Sequence, residues 1–121
     1  MNILIVDPSE PIRTLLKDYL TAPDCRVTAA SSGEVAVELV QKYKFDLIFL
    51  DEELPDLSAL KIGGLIREKI DPDVSLVLFT RNKDGLPAKQ AHNEGFEVIG
   101  KPFALREIEE TVEREGRKKK N

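Results

Sequence analysis

Residues 45–56 of the chain spell FDLIFLDEELPD. Leu47, Ile48, Phe49 and Leu50 are a continuous apolar run, the pattern of a short strand covered by helices on both faces. The polarity then reverses within one residue. Asp51, Glu52 and Glu53 follow at once, and Pro55 stops any regular continuation. Carboxylates are costly to bury unless paired, protonated or metal-bound. Asp51 is therefore expected at the carboxyl end of a core strand, the edge at which open α/β sheets bind ligands. Taken alone, the stretch is equally a polar strand end that opens a loop.

The flanking sequence repeats the pattern. Residues 2–6, NILIV, are a second apolar run, and it too ends in a carboxylate, Asp7. Arg26–Ala30 reads as a short third strand. Val74–Phe79 reads as a fourth that ends at Thr80, and Phe96–Ile99 as a fifth, followed by Gly100, Lys101 and Pro102.

Helical spacing fills the gaps. Ser9 caps a first helix, with Pro11 in its first turn and Ile12, Leu15, Leu16, Tyr19 and Leu20 facing the sheet. Ser31 and Glu34 form a capping box for the second, whose stripe is Ala36, Leu39, Val40 and Tyr43. The third spans about 58–70, with Ile62, Leu65, Ile66 and Ile70 inward. Gly63 and Gly64 sit mid-helix at a cost of about 1 kcal/mol each relative to Ala, which reads as close packing or a soft point. The fourth, within 82–94, has a weak apolar face (Leu86, Ala88, Ala91), is interrupted by Gly85 and Pro87, and is expected to be short and mobile. In the last, Leu105, Ile108 and Val112 point inward. Glu107, Glu109, Glu110, Glu113, Arg114 and Glu115 face mainly outward, and Gly116 closes the helix. Strands alternating with helices imply βαβ units, a parallel sheet and right-handed crossovers.

A length of 121 residues fits one domain. Cys25 is the single cysteine, which excludes a disulfide framework or a Cys/His zinc pattern. The net charge is −4 even though Arg117, Lys118, Lys119 and Lys120 form a basic tail, so the body is acidic and direct nucleic-acid binding is disfavoured. Residues 117–121 are expected to be solvated chain or the start of a linker. The apolar start is too short for a signal peptide, and no segment approaches membrane-spanning length. A soluble cytoplasmic protein is expected.

Asp7, Asp51, Thr80 and Lys101 end four separate strands. In a parallel sheet such ends share one edge, so the side chains can converge. The two carboxylates suit a hard divalent cation such as Mg²⁺. The lysine suits a phosphate oxygen, the hydroxyl can donate to one, and a carboxylate can itself attack phosphorus. Each residue also has a plainer role: Lys101 as a salt bridge to Asp51, Thr80 as a cap of the fourth helix, Asp7 as a cap of the first.

With these residues in view, the chain resembles the receiver domains of two-component response regulators. The resemblance covers residues 1–116 and rests on ILIVD at 3–7, LIFLDEELPD at 47–56, LVLFT at 76–80 and GKPF at 100–103. It implies a flavodoxin-like, doubly wound five-stranded parallel sheet of strand order 2-1-3-4-5. Asp51 matches the phosphoacceptor, Thr80 the switch hydroxyl, Lys101 the lysine that contacts the phosphoryl group, and Pro102 the following proline, often cis in that family. Asp7 matches the first of two adjacent acidic residues. Asp7, Asp51 and the backbone carbonyl of Glu53 are the implied Mg²⁺ ligands.

Three positions depart from the family. Pro8 replaces the second acidic residue, usually a direct metal ligand. Losing even a metal's outer partners costs about 10–100-fold in affinity, so Mg²⁺ binding is expected to be weak, unless Glu10 or Glu53 reaches in. Val98 stands at the aromatic switch position, and Ala59 replaces a common glycine.

The resemblance implies a phosphorelay function. Asp51 would accept a phosphoryl group from a sensor histidine kinase or phosphotransfer protein, and a surface of the last two helices and strand five would then switch. That surface would meet a downstream partner or a fused output domain, and also offers a homodimer contact. Such a domain promotes only its own phosphorylation and dephosphorylation and is not otherwise an enzyme. The alternative is a pseudo-receiver that binds partners without phosphate, favoured by Pro8 and Val98. A haloacid-dehalogenase-type phosphatase would need an aspartate where Ser9 stands, and a flavodoxin would need a hydroxyl- and glycine-rich loop where DPSEP stands.

Overall fold

The computed structural model describes residues 1–119, with side chains through Lys118. Strands and helices alternate from end to end: β1 (Asn2–Val6), α1 (Glu10–Leu20), β2 (Arg26–Ala30), α2 (Gly33–Lys42), β3 (Leu47–Asp51), α3 (Ala59–Lys69), β4 (Ser75–Thr80), α4 (Leu86–Asn93), β5 (Glu97–Gly100) and α5 (Leu105–Lys119). The strands form one parallel sheet in the order β2-β1-β3-β4-β5. This is the flavodoxin-like arrangement that the sequence motifs imply.

The continuous apolar runs follow from helices on both faces. Leu4, Val6, Ile48, Leu50, Leu76 and Leu78 pack toward α2 and α3 with Ala36, Ile62 and Ile66. Their neighbours in sequence, Ile3, Ile5, Leu47, Phe49, Val77 and Phe79, pack on the opposite face with Leu16 of α1 and Ile108 of α5. Alternate residues of a strand point to opposite faces, so both sets must be apolar. Each such side chain fully buried contributes about 1.5–3 kcal/mol. On the α1/α5 face, Phe49, Phe79 and Phe103 stack in series at centroid distances of 5.3 and 5.1 Å.

The helical stripes are narrower than the spacing predicts. Leu15 and Tyr19 of α1, Tyr43 after α2, and Leu65 and Ile70 of the α3 region are exposed, while Leu16, Leu20, Ala36, Val40, Ile62 and Ile66 are buried. One sheet face admits only the centre of each stripe. Ser32, not Ser31, caps α2, its hydroxyl accepting the Val35 N–H. In α4, Ala88 and Ala91 are buried but Leu86 is left exposed.

Gly63 is a close-packing residue. A Cβ there would stand 2.2 Å from the Phe96 ring, so the approach of α3 to the start of β5 requires glycine. Gly64 faces open space, and nothing in the structure explains it.

Two readings of the last helix are corrected. Gly116 does not close it: α5 continues through Lys119, so Arg117 to Lys119 of the expected loose tail are helical. Lys120 and Asn121 lie outside the described residues. Glu115 does not face outward. It is buried, and its carboxylate accepts from the Ser75 hydroxyl at 2.7 Å.

Candidate functional site

The parallel pairing sets Asp51 opposite Phe79 and Thr80 opposite Gly100. Asp7 follows β1 directly, and its N–H continues the ladder onto the Ala30 carbonyl at 3.0 Å. The Lys101 N–H continues it from β5 onto the Thr80 carbonyl at 2.7 Å. Backbone pairing therefore delivers Asp7, Asp51, Thr80 and Lys101 to one edge.

Lys101 stands between the two carboxylates. Its Nζ is 2.7 Å from Asp7 Oδ2 and 2.7 Å from Asp51 Oδ1. Asp7 is fully buried, and its Oδ1 accepts the Ser9 N–H at 2.9 Å. The guanidinium of Arg13 holds the Asp7 carbonyl at 2.8 Å. The second oxygen of Asp51 accepts the Glu53 N–H at 3.2 Å.

Two carboxylates thus share one ammonium. Burial pushes the Asp51 carboxyl above the ordinary aspartate range; the Lys101 hydrogen bond opposes this, and the charge of Asp7 adds to it. Burial alone would lower the Lys101 ammonium. Hydrogen bonds to Asp51 and Asp7, together with their charges, outweigh that and hold it above the usual lysine value.

The site opens to solvent through a depression whose lining includes Asp7, Pro8, Ser9, Asp51, Glu53, Arg81, Lys101 and Pro102. Glu10 does not line it. The Lys101–Pro102 peptide bond is cis.

Thr80 is buried at the end of β4, and its hydroxyl does not contact Asp51. It donates to Glu52 Oε2 and accepts the Asn82 N–H at 3.1 Å. It does not cap α4, whose N-cap is Gly85.

The response regulator receiver domain family matches the chain over residues 3–113. The chain belongs to this family. The receiver domain is similar to the transcriptional regulatory protein SrrA of Staphylococcus aureus, at 30% identity over 107 residues, covering 88% of this chain and 44% of SrrA. It thus spans less than half the length of the curated relatives it matches. Among solved structures it is similar to the response regulator TrrA of Thermotoga maritima, determined in complex with Mg²⁺–BeF, with TM-score 0.81 and 31% identity over 94% of this chain and 97% of that one. It also superposes on a Francisella response regulator receiver domain with TM-score 0.88 over 98% of each chain; at 18% identity that likeness concerns the fold alone.

The structure brings together Asp7, Asp51 and Lys101, and sets Thr80 one strand away with its hydroxyl turned aside. The donor chemistry fits Mg²⁺ sparingly. Mg²⁺ is commonly held by one or two carboxylates plus phosphate oxygens and water. The receiver domain offers two, Asp7 and Asp51, while Pro8 contributes no side-chain oxygen. Among the described residues no three His, Cys, Asp or Glu side chains gather into a metal cage.

Two residues of this edge were not singled out in the sequence. Glu52 holds the Thr80 hydroxyl. Asp56 fastens the β3–α3 loop to α2, its carboxylate accepting the Gly33 and Glu34 N–H groups at 2.9 Å each. The Glu34 and Gly33 N–H groups hold the Asp56 carboxyl below the usual range. The acidic run DEELPD was the only available signal, and it does not say which carboxylate meets which strand.

Proposed function

We propose that this receiver domain accepts a phosphoryl group on Asp51 from a phosphohistidine of a sensor kinase or phosphotransfer protein, and relays it as a change in surface. The observation that carries this reading is the placement of Lys101, 2.7 Å from both Asp7 and Asp51 at an edge open to solvent. A carboxylate with a raised pKa is a more basic nucleophile than an ordinary one. Its oxygen forms the new P–O bond as the P–N bond to the donor imidazole breaks, and the electron pair leaves on the imidazole nitrogen. Lys101 is already in position to exchange its Asp51 contact for a phosphoryl oxygen while keeping Asp7.

Asp7, Asp51 and the Glu53 carbonyl would hold Mg²⁺, which supplies charge neutralisation for the phosphoryl oxygens. Pro8 makes that binding weak. The domain promotes its own phosphorylation and dephosphorylation and has no other substrate, and we place it in the cytoplasm with its donor. Among the described residues no helix is long and apolar enough to cross a membrane.

The readout follows from where Thr80 sits. It is the last residue of β4 and hydrogen-bonds Asn82 in the loop before α4. Turning its hydroxyl toward a phosphoryl group breaks those contacts and pulls on that loop. Helix α4 is eight residues long and buries only Ala88 and Ala91. The face formed by α4, β5 and α5 is therefore the proposed output surface, for a downstream partner, a fused output domain or a second copy. SrrA is a transcriptional regulator by name, and an output of that kind is one candidate.

Pro8 favours a second reading, a pseudo-receiver that acts unphosphorylated. Intact mass after incubation with phosphoramidate and Mg²⁺ separates the two. One phosphoryl adduct, absent from Asp51→Asn, is expected; no adduct from folded protein at high Mg²⁺ supports the pseudo-receiver instead.

A further inference from the structure

The pairing of β3 with β4 does more than align Asp51. The Glu52 N–H continues the ladder onto the Phe79 carbonyl at 2.9 Å. This places the Glu52 side chain beside the next residue, Thr80, whose hydroxyl donates to Glu52 Oε2. The Asn82 carbonyl, at 3.2 Å from Thr80 Oγ1, is a competing acceptor. A threonine hydroxyl has one proton to give. While that proton is on Glu52 it is not available to a group on Asp51. A hydrogen bond to a carboxylate is stronger than one to a neutral carbonyl, so Glu52 dominates this choice.

We propose that Glu52 is a positioning residue that holds the Thr80 hydroxyl away from Asp51, so that a phosphoryl group must compete with a carboxylate of the chain's own for that hydroxyl. The inference rests on the reading of Asp51 as phosphoacceptor. Glu52 then sets the threshold of the switch: the weaker its hold, the more readily Thr80 turns inward.

The probe is beryllium fluoride with Mg²⁺, which mimics an acyl phosphate, titrated into the whole domain by fluorine NMR. Removing Glu52 also removes a negative charge near an anionic ligand, so Glu10→Gln, at a position outside the depression, serves as the charge control. Glu52→Ala is expected to bind about tenfold tighter than the parent, equivalent to about 1.4 kcal/mol. Glu52→Gln should fall between the two, and Glu10→Gln should gain less than either Glu52 variant. In a Thr80→Val background the gain from Glu52→Ala should shrink to that of the charge control, and in Thr80→Ser it should be retained. An undiminished gain in Thr80→Val, or none in the parent, overturns the proposal.

A second measurement needs no phosphate mimic. Urea unfolding of the unmodified domain should show non-additive losses for Glu52→Ala and Thr80→Val. Non-additivity without any beryllium fluoride binding by the parent would overturn the phosphoacceptor reading and leave the Glu52–Thr80 contact standing. Binding by the parent with additive losses and no Thr80-dependent gain would overturn the role of Glu52.

Discussion

The two edges of the sheet carry similar groups arranged to opposite effect. At the amino edge, Glu97 at the start of β5 pairs with Arg114. Glu115, below Ser75 at the start of β4, pairs with Lys118 at 3.3 Å. Glu97 and Glu115 each have a cation of their own, and both cations come from α5, although one oxygen of Glu97 is left without a hydrogen bond. At the carboxyl edge two carboxylates from different strands divide one ammonium. The amino edge is a staple between α5 and the sheet. At the carboxyl edge burial, with the charge of Asp7 adding to it, holds the Asp51 carboxyl above the ordinary aspartate range. A set of acidic, basic and hydroxyl side chains is therefore no sign of a reactive site. What separates the two edges is how the charge is divided under burial.

Substitutions can break this contrast. The largest effect is expected for Lys101→Met, which strands two buried carboxylates. Breaking a buried pair costs about 3–5 kcal/mol, and a loss at the lower end of that range is expected in urea unfolding at neutral pH. Arg114→Met, at a half-exposed pair, should cost less than about 1 kcal/mol. Equal losses would erase the distinction between the edges.

Asp51→Asn should do the reverse and stabilise the domain, by on the order of 1 kcal/mol or about 4 °C in Tm, because it removes one of two carboxylates held by a single lysine. The sign with pH follows from the raised pKa. A carboxyl whose folded pKa lies above its unfolded value contributes most to stability below the unfolded value, near 4, and that contribution is lost as pH rises through the folded value. The advantage of Asp51→Asn should therefore be small below about pH 4 and grow toward neutrality. An advantage that shrinks as pH rises would show that Lys101 over-compensates.

The smallest effect is expected at the amino edge. Glu115→Gln keeps an acceptor for Ser75 and loses only the ion pair to Lys118, whose own side chain is mostly exposed. It should cost about 0.5 kcal/mol or less in urea unfolding.

The same contrast explains what was legible beforehand. Runs such as NILIV and LIFLD read directly as strands because both faces of the sheet are covered, leaving no polar alternation to mistake for a helix. A parallel sheet then sends strand ends of one kind to one edge, so the convergence of Asp7, Asp51 and Lys101 follows from the strand pattern alone. The amino-edge staple did not, because Glu115 lies in a helix rich in glutamate and spacing alone cannot show which one meets Ser75. Gly116 resembled a stop, yet the helix passes through it, with the Met1 sulfur 3.6 Å from where a Cβ would stand. Glu52 was hidden for a similar reason: its partner, Thr80, is distant in sequence and is reached only through the β3–β4 register.

The most direct test of the central claim, that Asp51 is the reactive carboxylate, is to locate the modified atom. The domain is incubated with phosphoramidate and Mg²⁺, reduced with borohydride, which converts an aspartyl phosphate to homoserine, and mapped by peptide mass spectrometry. The account predicts homoserine at position 51 alone, and none in Asp51→Asn. Homoserine at Asp7 or at another acidic position, or no conversion in protein shown to be folded, would contradict it.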